Sequence, residues 1–388
     1  MKRYYQLISS VFLLAAFLVI PYTGEAQKKE EKGYVFSNIK KIKTTPVISQ
    51  GATGTCWSFA TTSFIETELI RMAKGEIDLS EMYPVRNAYN SKAINYIRFH
   101  DKANFSQGGQ AHDVLNSIRR YGMIPEKIYS GLNYGEEKHI HGELTAVLNG
   151  MLEGVVKNRN QKLTPVWQKA FNSVLDAYLG EVPENFTYKN KDYTPKTFAG
   201  ELGFNPDDYI EFTSYTHHPF YAIFPLEVPD NWSSDLYLNL PFDEIIEIMD
   251  YALDNGFSVC WDGDVGERGF SHKNNVAIIP EKEWRDMGED EINEIFESPN
   301  PEKKITQQMR QETFDNYTTT DDHLMHIVGS AEDEKGTRYY LTKNSWGEES
   351  NDFGGFLYMS ESYVRLKTIA IMIHKDAIPK HIADKLGI

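Results

Sequence analysis

From His323 onward the chain reads as strands: HLMHIVGSA, TRYYLTKNS, GFLYMSESYV and KTIAIMIH, rich in β-branched and aromatic residues and separated by glycine and charged turns. The earlier part reads mostly as helices. From Cys56 to about Ala73, Trp57, Ala60, Phe64 and Leu69 fall near a helical stripe, with Glu66, Glu68 and Arg71 as the expected polar side and Gly75 as a stop. DLSEMYPVRNAY (78–89) opens with the candidate caps Asp78 and Ser80. In AHDVLNSIRRYG (111–122), Val114, Leu115, Ile118 and Tyr121 share a face before Gly122. Residues 136–190 read as helical, 205–240 as irregular loops, and FDEIIEIMDYALDNG (242–256) as an amphipathic helix closed by Gly256. Helices early and strands late predict an α+β fold with segregated elements.

A chain of 388 residues with 41% hydrophobic and 13% aromatic residues has material for a sizeable core. Its formal charge of −16 repels phosphate backbones, so no nucleic-acid partner is expected. Residues 1–26 have the three-part layout of a secretory signal peptide. Lys2 and Arg3 precede the uncharged run LISSVFLLAAFLVIPY, and Gly24 and Ala26 precede a charged stretch. The expectation is cleavage after Ala26, export to the periplasm or medium, and no stable membrane insertion afterwards. The alternative, an uncleaved anchor, is disfavoured by the short apolar run. Residues 27–45 read as a linker entering an extended arm.

Only two cysteines occur, Cys56 and Cys260, too few for a disulfide framework although they could pair. Cys56 stands in QGATGTCWSF (50–59), at the start of a helical pattern. A helix N-terminus favours a thiolate, and a thiolate is the better nucleophile. Gly51 and Gly54 permit a tight turn that lets a backbone N–H face an attacked carbonyl, and Gln50 could supply a second oxyanion donor. A base is available in DDHLMHIVG (321–329), where His323 and His326 fall on opposite strand faces. KNSWG (343–347) offers Asn344 to orient an imidazole and Trp346 to shield that bond from water.

QGATGTCWSF, DHLMHIVG and KNSWG, in that order, resemble the papain-like cysteine peptidases, and more narrowly the bleomycin hydrolase and aminopeptidase C branch. The resemblance covers roughly residues 45–380 and extends to NGFSVCWDGDVGERGFS (255–271) and the polar connection from Glu281 to Asp321. It implies a two-lobed fold: a helical lobe at about 45–135, a mainly helical insertion at about 136–250, a β-rich lobe at about 251–380 and a C-terminal arm at 381–388. It implies a Cys56–His323–Asn344 peptidase assisted by Gln50, acting through a thioester and most naturally as an aminopeptidase on peptides. His323 rather than His326 matches the catalytic position, because it stands six residues before Gly329. Gly108 and Gly109 match a glycine pair that lines the substrate groove. Trp346 would flank the substrate, and the terminal Ile388 would enter the groove and hold a substrate ammonium. A hexameric homo-oligomer is a further implication, and no cofactor is. The chain departs from the usual pattern at Thr53-Gly54-Thr55-Cys56-Trp57, which lacks the papain-type upstream cysteine.

Cys260 in SVCWDGDV has no such company and reads as a buried core thiol. His139, His141 and Glu143 are three potential ligands in what reads as a solvated segment, so no metal site is expected. His217 and His218 read as loop residues. An endopeptidase or acyltransferase on the same triad, or a peptide-binding module without activity, remain the alternatives.

Overall fold

The computed structural model describes residues 33–159 and 162–388; the expected signal peptide lies outside them. The chain begins with β1 (Phe36–Lys41) and continues through five helices: α1 (Cys56–Arg71), α2 (Met82–Arg98), α3 (Ala111–Tyr121), α4 (Gly142–Val156) and α5 (Val166–Leu179). A hairpin, β2 (Phe186–Tyr188) and β3 (Lys191–Tyr193), precedes α6 (Pro195–Leu202). Then come β4 (Tyr209–Thr213), β5 (Ile223–Pro225), β6 (Leu236–Asn239), α7 (Phe242–Asp254), β7 (Val259–Gly263), β8 (Phe270–Ser271) and β9 (Val276–Ala277). The remainder is α8 (Glu289–Glu294), α9 (Gln307–Asp315), β10 (His323–Asp333), β11 (Arg338–Lys343), β12 (Phe356–Ser360), α10 (Glu361–Lys367), β13 (Thr368–His374) and α11 (Lys380–Leu386). The fold is α+β, and no helix among the described residues is long and apolar enough to cross a membrane.

One sheet runs β5-β6-β4-β13-β7-β10-β11-β12-β9-β8. β10 is its spine. His323–Ile327 pair with β7, and the far half of the strand, from Gly329, pairs with β1. On its other edge β10 runs antiparallel to β11, with His326 opposite Lys343. That register brings the start of β10 beside the end of β11. The expectation of irregular loops over 205–240 is corrected, since β4 joins the sheet on β13 and β6 joins it parallel to β4. These strands are short and interrupted by proline and aspartate, so period-2 alternation never develops.

Side chains alternate across the sheet as its pleat requires. Leu324, Cys260 and Met372 face the helical core that contains Trp57, Phe64, Leu69, Val114 and Leu148. Met325, Trp261 and Ile371 face α7, which buries Ile245, Ile248, Met249 and Ala252 at helical spacing. Asp243 and Glu244 in the first turn of α7 suit its positive end.

α1 lies between the other helices and β10 and is buried from Cys56 to Leu69. The expected polar side is therefore absent: Glu66 is 4% exposed and Glu68 1%. A buried carboxylate without partners costs roughly several kcal/mol, and each of these has partners. Glu66 accepts from Thr45 Oγ1 at 2.6 Å and from the Leu79 N–H at 2.8 Å. Glu68 accepts from Arg71 at 2.7 Å and from Tyr209 Oη at 3.0 Å.

Candidate active site

The glycine-rich turn before α1 is shaped from outside. Gly51 has φ +65°, and a Cβ there would overlap His139 O, the same carbonyl that accepts the Ala52 N–H at 2.8 Å. His139 and His141 are thus buried parts of the scaffold, within a segment whose Glu136, Glu137, Lys138, Ile140 and Glu143 are exposed as expected. Burial brings both imidazoles down to about 4. On the other side of the turn, Gln107 Oε1 accepts the Gly54 N–H at 2.7 Å and Gln107 O accepts Trp57 Nε1 at 2.9 Å.

These contacts place Cys56 at the first position of α1, in a cleft of about 430 Å³ that is also lined by Gln50, Gly108, Gly109, Asp230 and His323. The cap residue Thr55 makes no side-chain cap on α1; its hydroxyl lies 2.6 Å from Thr53 Oγ1. Gln50 Nε2 donates to Thr53 O at 2.7 Å while its Oε1 accepts from Ser345 Oγ at 2.6 Å. One amide hydrogen of Gln50 is so engaged and the other is left for the cleft.

His323 opens β10 and Asn344 directly follows β11. His323 Nε2 lies 2.8 Å from Asn344 Oδ1, and the Trp346 ring covers the imidazole at 5.2 Å between centroids. Trp346 is 37% exposed, with its other contacts on His272 and Phe270. His326 lies on the face toward α1 and bonds Ser63 Oγ at 2.9 Å, away from the cleft lining.

Burial pushes the Cys56 thiol up to about 12, helped by the carboxylates of Asp321, Asp262 and Asp230 and opposed by the Leu324 N–H. Burial also brings His323 down to about 4, against the bond to Asn344. The expected lowering of the thiol by the helix terminus is therefore outweighed by burial and by these carboxylates. Ionising either group alone is unfavourable there. Passing the proton from Sγ to the imidazole creates both charges together, and their attraction offsets part of that cost.

The structure brings Cys56, Gln50, Gly108, Gly109 and His323 to one cleft, with Asn344 and Trp346 against His323. Ile388 is not among the residues lining it. The Ile388 N–H bonds Ala383 O, and α11 is fastened to α7 by Lys385 on Glu244 at 2.6 Å, with Ile382 buried in the α7 core. The expected placement of the C-terminal arm in the groove is thereby corrected: apolar Ile382 and the Lys385 ion pair hold it on another surface.

Sequence reasoning missed the acidic side of this cleft. Asp321 accepts Gln110 Nε2 at 2.7 Å and is raised to about 7 by burial and by Asp230; its position next to His323 was the available signal. Asp230, raised by burial, had no motif around it. Cys260 is a free, buried thiol 3.5 Å from Thr61 Oγ1, and Cys56 is free as well. His217, His218 and Glu227 form a cluster of metal-ligand types. Gln311 Nε2 donates to His217 Nδ1 at 3.0 Å, which leaves the ring proton on Nε2, facing Glu227 at 3.1 Å. That nitrogen is then a hydrogen-bond donor to the carboxylate and offers no lone pair to a metal.

The chain matches the Peptidase C1-like family over residues 5–387 and belongs to it: it is a cysteine-type peptidase. Within that family it falls in the bleomycin hydrolase and aminopeptidase C branch. Aminopeptidase G of Lactobacillus delbrueckii subsp. lactis is 23% identical over 390 residues, covering 89% of this chain and 84% of that protein. Mitochondrial cysteine proteinase 1 of Saccharomyces cerevisiae is 22% identical and covers 92% of this chain and 80% of its own length. Bleomycin hydrolase of Mus musculus is 21% identical over 90% of this chain and 84% of its own. The crystal structure of PepW from Lactobacillus rhamnosis shares the fold, with a TM-score of 0.69 at 20% identity over 91% of this chain and 84% of that one.

Proposed function

We propose that this peptidase removes N-terminal residues from peptides, with Cys56 as nucleophile. The observation that carries the reading is the shared cleft of Cys56 and His323 with His323 Nε2 held 2.8 Å from Asn344 Oδ1. Asn344 accepts the Nε2 proton, so Nδ1 carries the free lone pair. As Sγ attacks the substrate carbonyl, that lone pair takes the thiol proton. The free amide hydrogen of Gln50 and a backbone N–H at the start of α1 meet the developing oxyanion. Collapse of the tetrahedral species expels the amine, which takes the proton from His323, and leaves a thioester on Cys56. Water, deprotonated by His323, then releases the acid and restores the thiol. Aminopeptidase G and aminopeptidase E among the similar proteins support the exopeptidase direction by name.

One observation favours a second reading, an endopeptidase: α11 packs on α7 and no residue of the C-terminal arm lines the cleft. Leucine aminomethylcoumarin assayed beside its N-acetyl derivative separates the two. The first reading expects a preference of at least about tenfold for the free amine; equal rates contradict it. Export through residues 1–26 belongs to the same proposal, and the N-terminus of the mature protein from the producing cell tests it.

A further inference from the structure

Asp230 enters the cleft from the stretch Leu226–Asp235, and that stretch is firmly built. Asn231 Nδ2 donates to Leu226 O and to Asp235 O, both at 3.0 Å, and Asn231 Oδ1 accepts the Asp235 N–H at 2.9 Å. Trp232 Nε1 donates to Asp113 Oδ2 at 2.8 Å, and Asn104 Nδ2 donates to Pro229 O at 3.1 Å. The result is a carboxylate laid directly over Gly108: a Cβ added there would overlap the Asp230 carboxyl group.

The two oxygens of that carboxylate differ. Oδ1 accepts from Asn104 Nδ2 at 3.1 Å and Ser106 Oγ at 3.3 Å. Oδ2 accepts no hydrogen bond among the described residues, and Asp230 has no ion pair there. Lys92, the buried cation nearby, donates its ammonium to Gly108 O and Ser106 O. One oxygen is anchored and the other is presented, half-buried, in the cleft that holds Cys56 and His323.

We propose that Asp230 binds the free N-terminal ammonium of the substrate and closes the groove beyond it; this rests on the aminopeptidase reading above. An extended peptide passing along Gly108 meets the Asp230 carboxylate where a preceding residue would have to lie. A substrate that ends at its ammonium instead completes Asp230 Oδ2 with a charge-assisted hydrogen bond. The α-ammonium and a lysine side chain share this chemistry, so a test has to tell them apart. The steric position over Gly108 favours the ammonium of the backbone.

The test uses the intact chain and three substrates: leucine aminomethylcoumarin, its N-acetyl form, and N-acetyl-lysyl-leucine aminomethylcoumarin. Asp230→Asn should lower kcat/KM for the free-amine substrate about 10- to 100-fold, mostly through KM. The ratio of free-amine to N-acetyl rates should fall by a similar factor, a readout that cancels any change in the Cys56 thiol both substrates share, and Asp230→Glu should keep part of the preference. Asp230→Ser supplies the same reading if the Asn variant melts below the assay temperature. A full free-amine preference in the Asn and Ser variants overturns the Asp230 assignment alone. Faster cleavage of the lysyl substrate, lost in Asp230→Asn, overturns it in favour of a side-chain subsite. Equal rates on free and acetylated leucine in the wild type overturn the aminopeptidase reading, and the assignment with it.

Discussion

Asn344 Oδ1 accepts twice, from the His323 ring at 2.8 Å and from the Ser345 N–H at 2.7 Å. The second bond fixes the amide, so the first fixes the imidazole tautomer. Asn344→Ala should therefore cost about 10- to 100-fold in kcat, less than His323→Ala, because it orients the base and carries no proton. The check is kcat for both variants on one aminoacyl fluorogenic substrate. An equal loss in the two would give Asn344 more than an orienting role.

Gln50→Ala should lower kcat about 10²- to 10³-fold with little change in KM, the usual scale for one oxyanion donor. Gln50 also accepts from Ser345 Oγ, so a melting curve must accompany the kinetics. Loss of kcat with an unchanged melting temperature supports the donor role. A large loss of melting temperature with near-normal kcat assigns Gln50 to the scaffold.

His326 and Cys260 sit opposite one another in the β10–β7 register, both buried and both outside the cleft lining. His326→Ala should cost about 1–3 kcal/mol of stability through its lost packing and its bond to Ser63, while kcat/KM stays within a few-fold. Cys260→Ser should behave likewise. Denaturant melts and kinetics on the same preparations decide it, and a loss of kcat comparable to His323→Ala would contradict the choice between the two histidines.

The pH behaviour follows from the directions at the site. His323 is lowered to about 4 by burial, so the imidazole is unprotonated and able to accept a proton at every pH above that. The Cys56 thiol is raised to about 12, so free thiolate is scarce at neutrality. Alkylation of Cys56 by iodoacetamide in the empty enzyme should then climb steadily from pH 7 to 9, about tenfold per unit. Asp321→Asn removes one carboxylate that pushes the thiol up and should speed alkylation at fixed pH. A fast plateau already reached at pH 5 would mean that a thiolate–imidazolium pair exists before substrate binds.

What could be read from the sequence was what runs contiguously in it. Cys56 with its glycine turn, His323 six residues before Gly329, and Asn344 in KNSWG are local patterns. The strands that carry two of them were legible too, but the β10–β11 register that joins them was not, because it shifts between Ile327 and Gly329. The α7 helix was legible because Ile245, Ile248, Met249 and Ala252 repeat at helical spacing. Glu66 and Glu68 misled because charge signals solvent only when no local donors await it, and Thr45, Leu79 and Tyr209 come from distant segments. Asp230 was invisible for the same reason: its meaning lies in Gly108, which the chain reaches far earlier. Ile388 misplaced the groove's closure because the packing of Ile382 against α7 has no signature beyond one apolar residue.

Cys56 as the nucleophile is tested most directly by trapping the acyl group. Wild-type and Cys56→Ala proteins, mixed with a rapidly acylating aminoacyl ester and quenched in acid, are digested and mapped by mass spectrometry. The expected result is an acyl adduct on the wild-type peptide containing Cys56, none on the peptide containing Cys260, and turnover in Cys56→Ala reduced by about 10⁴-fold or more. An adduct on Cys260, or Cys56→Ala turning over within about tenfold of wild type, would contradict it.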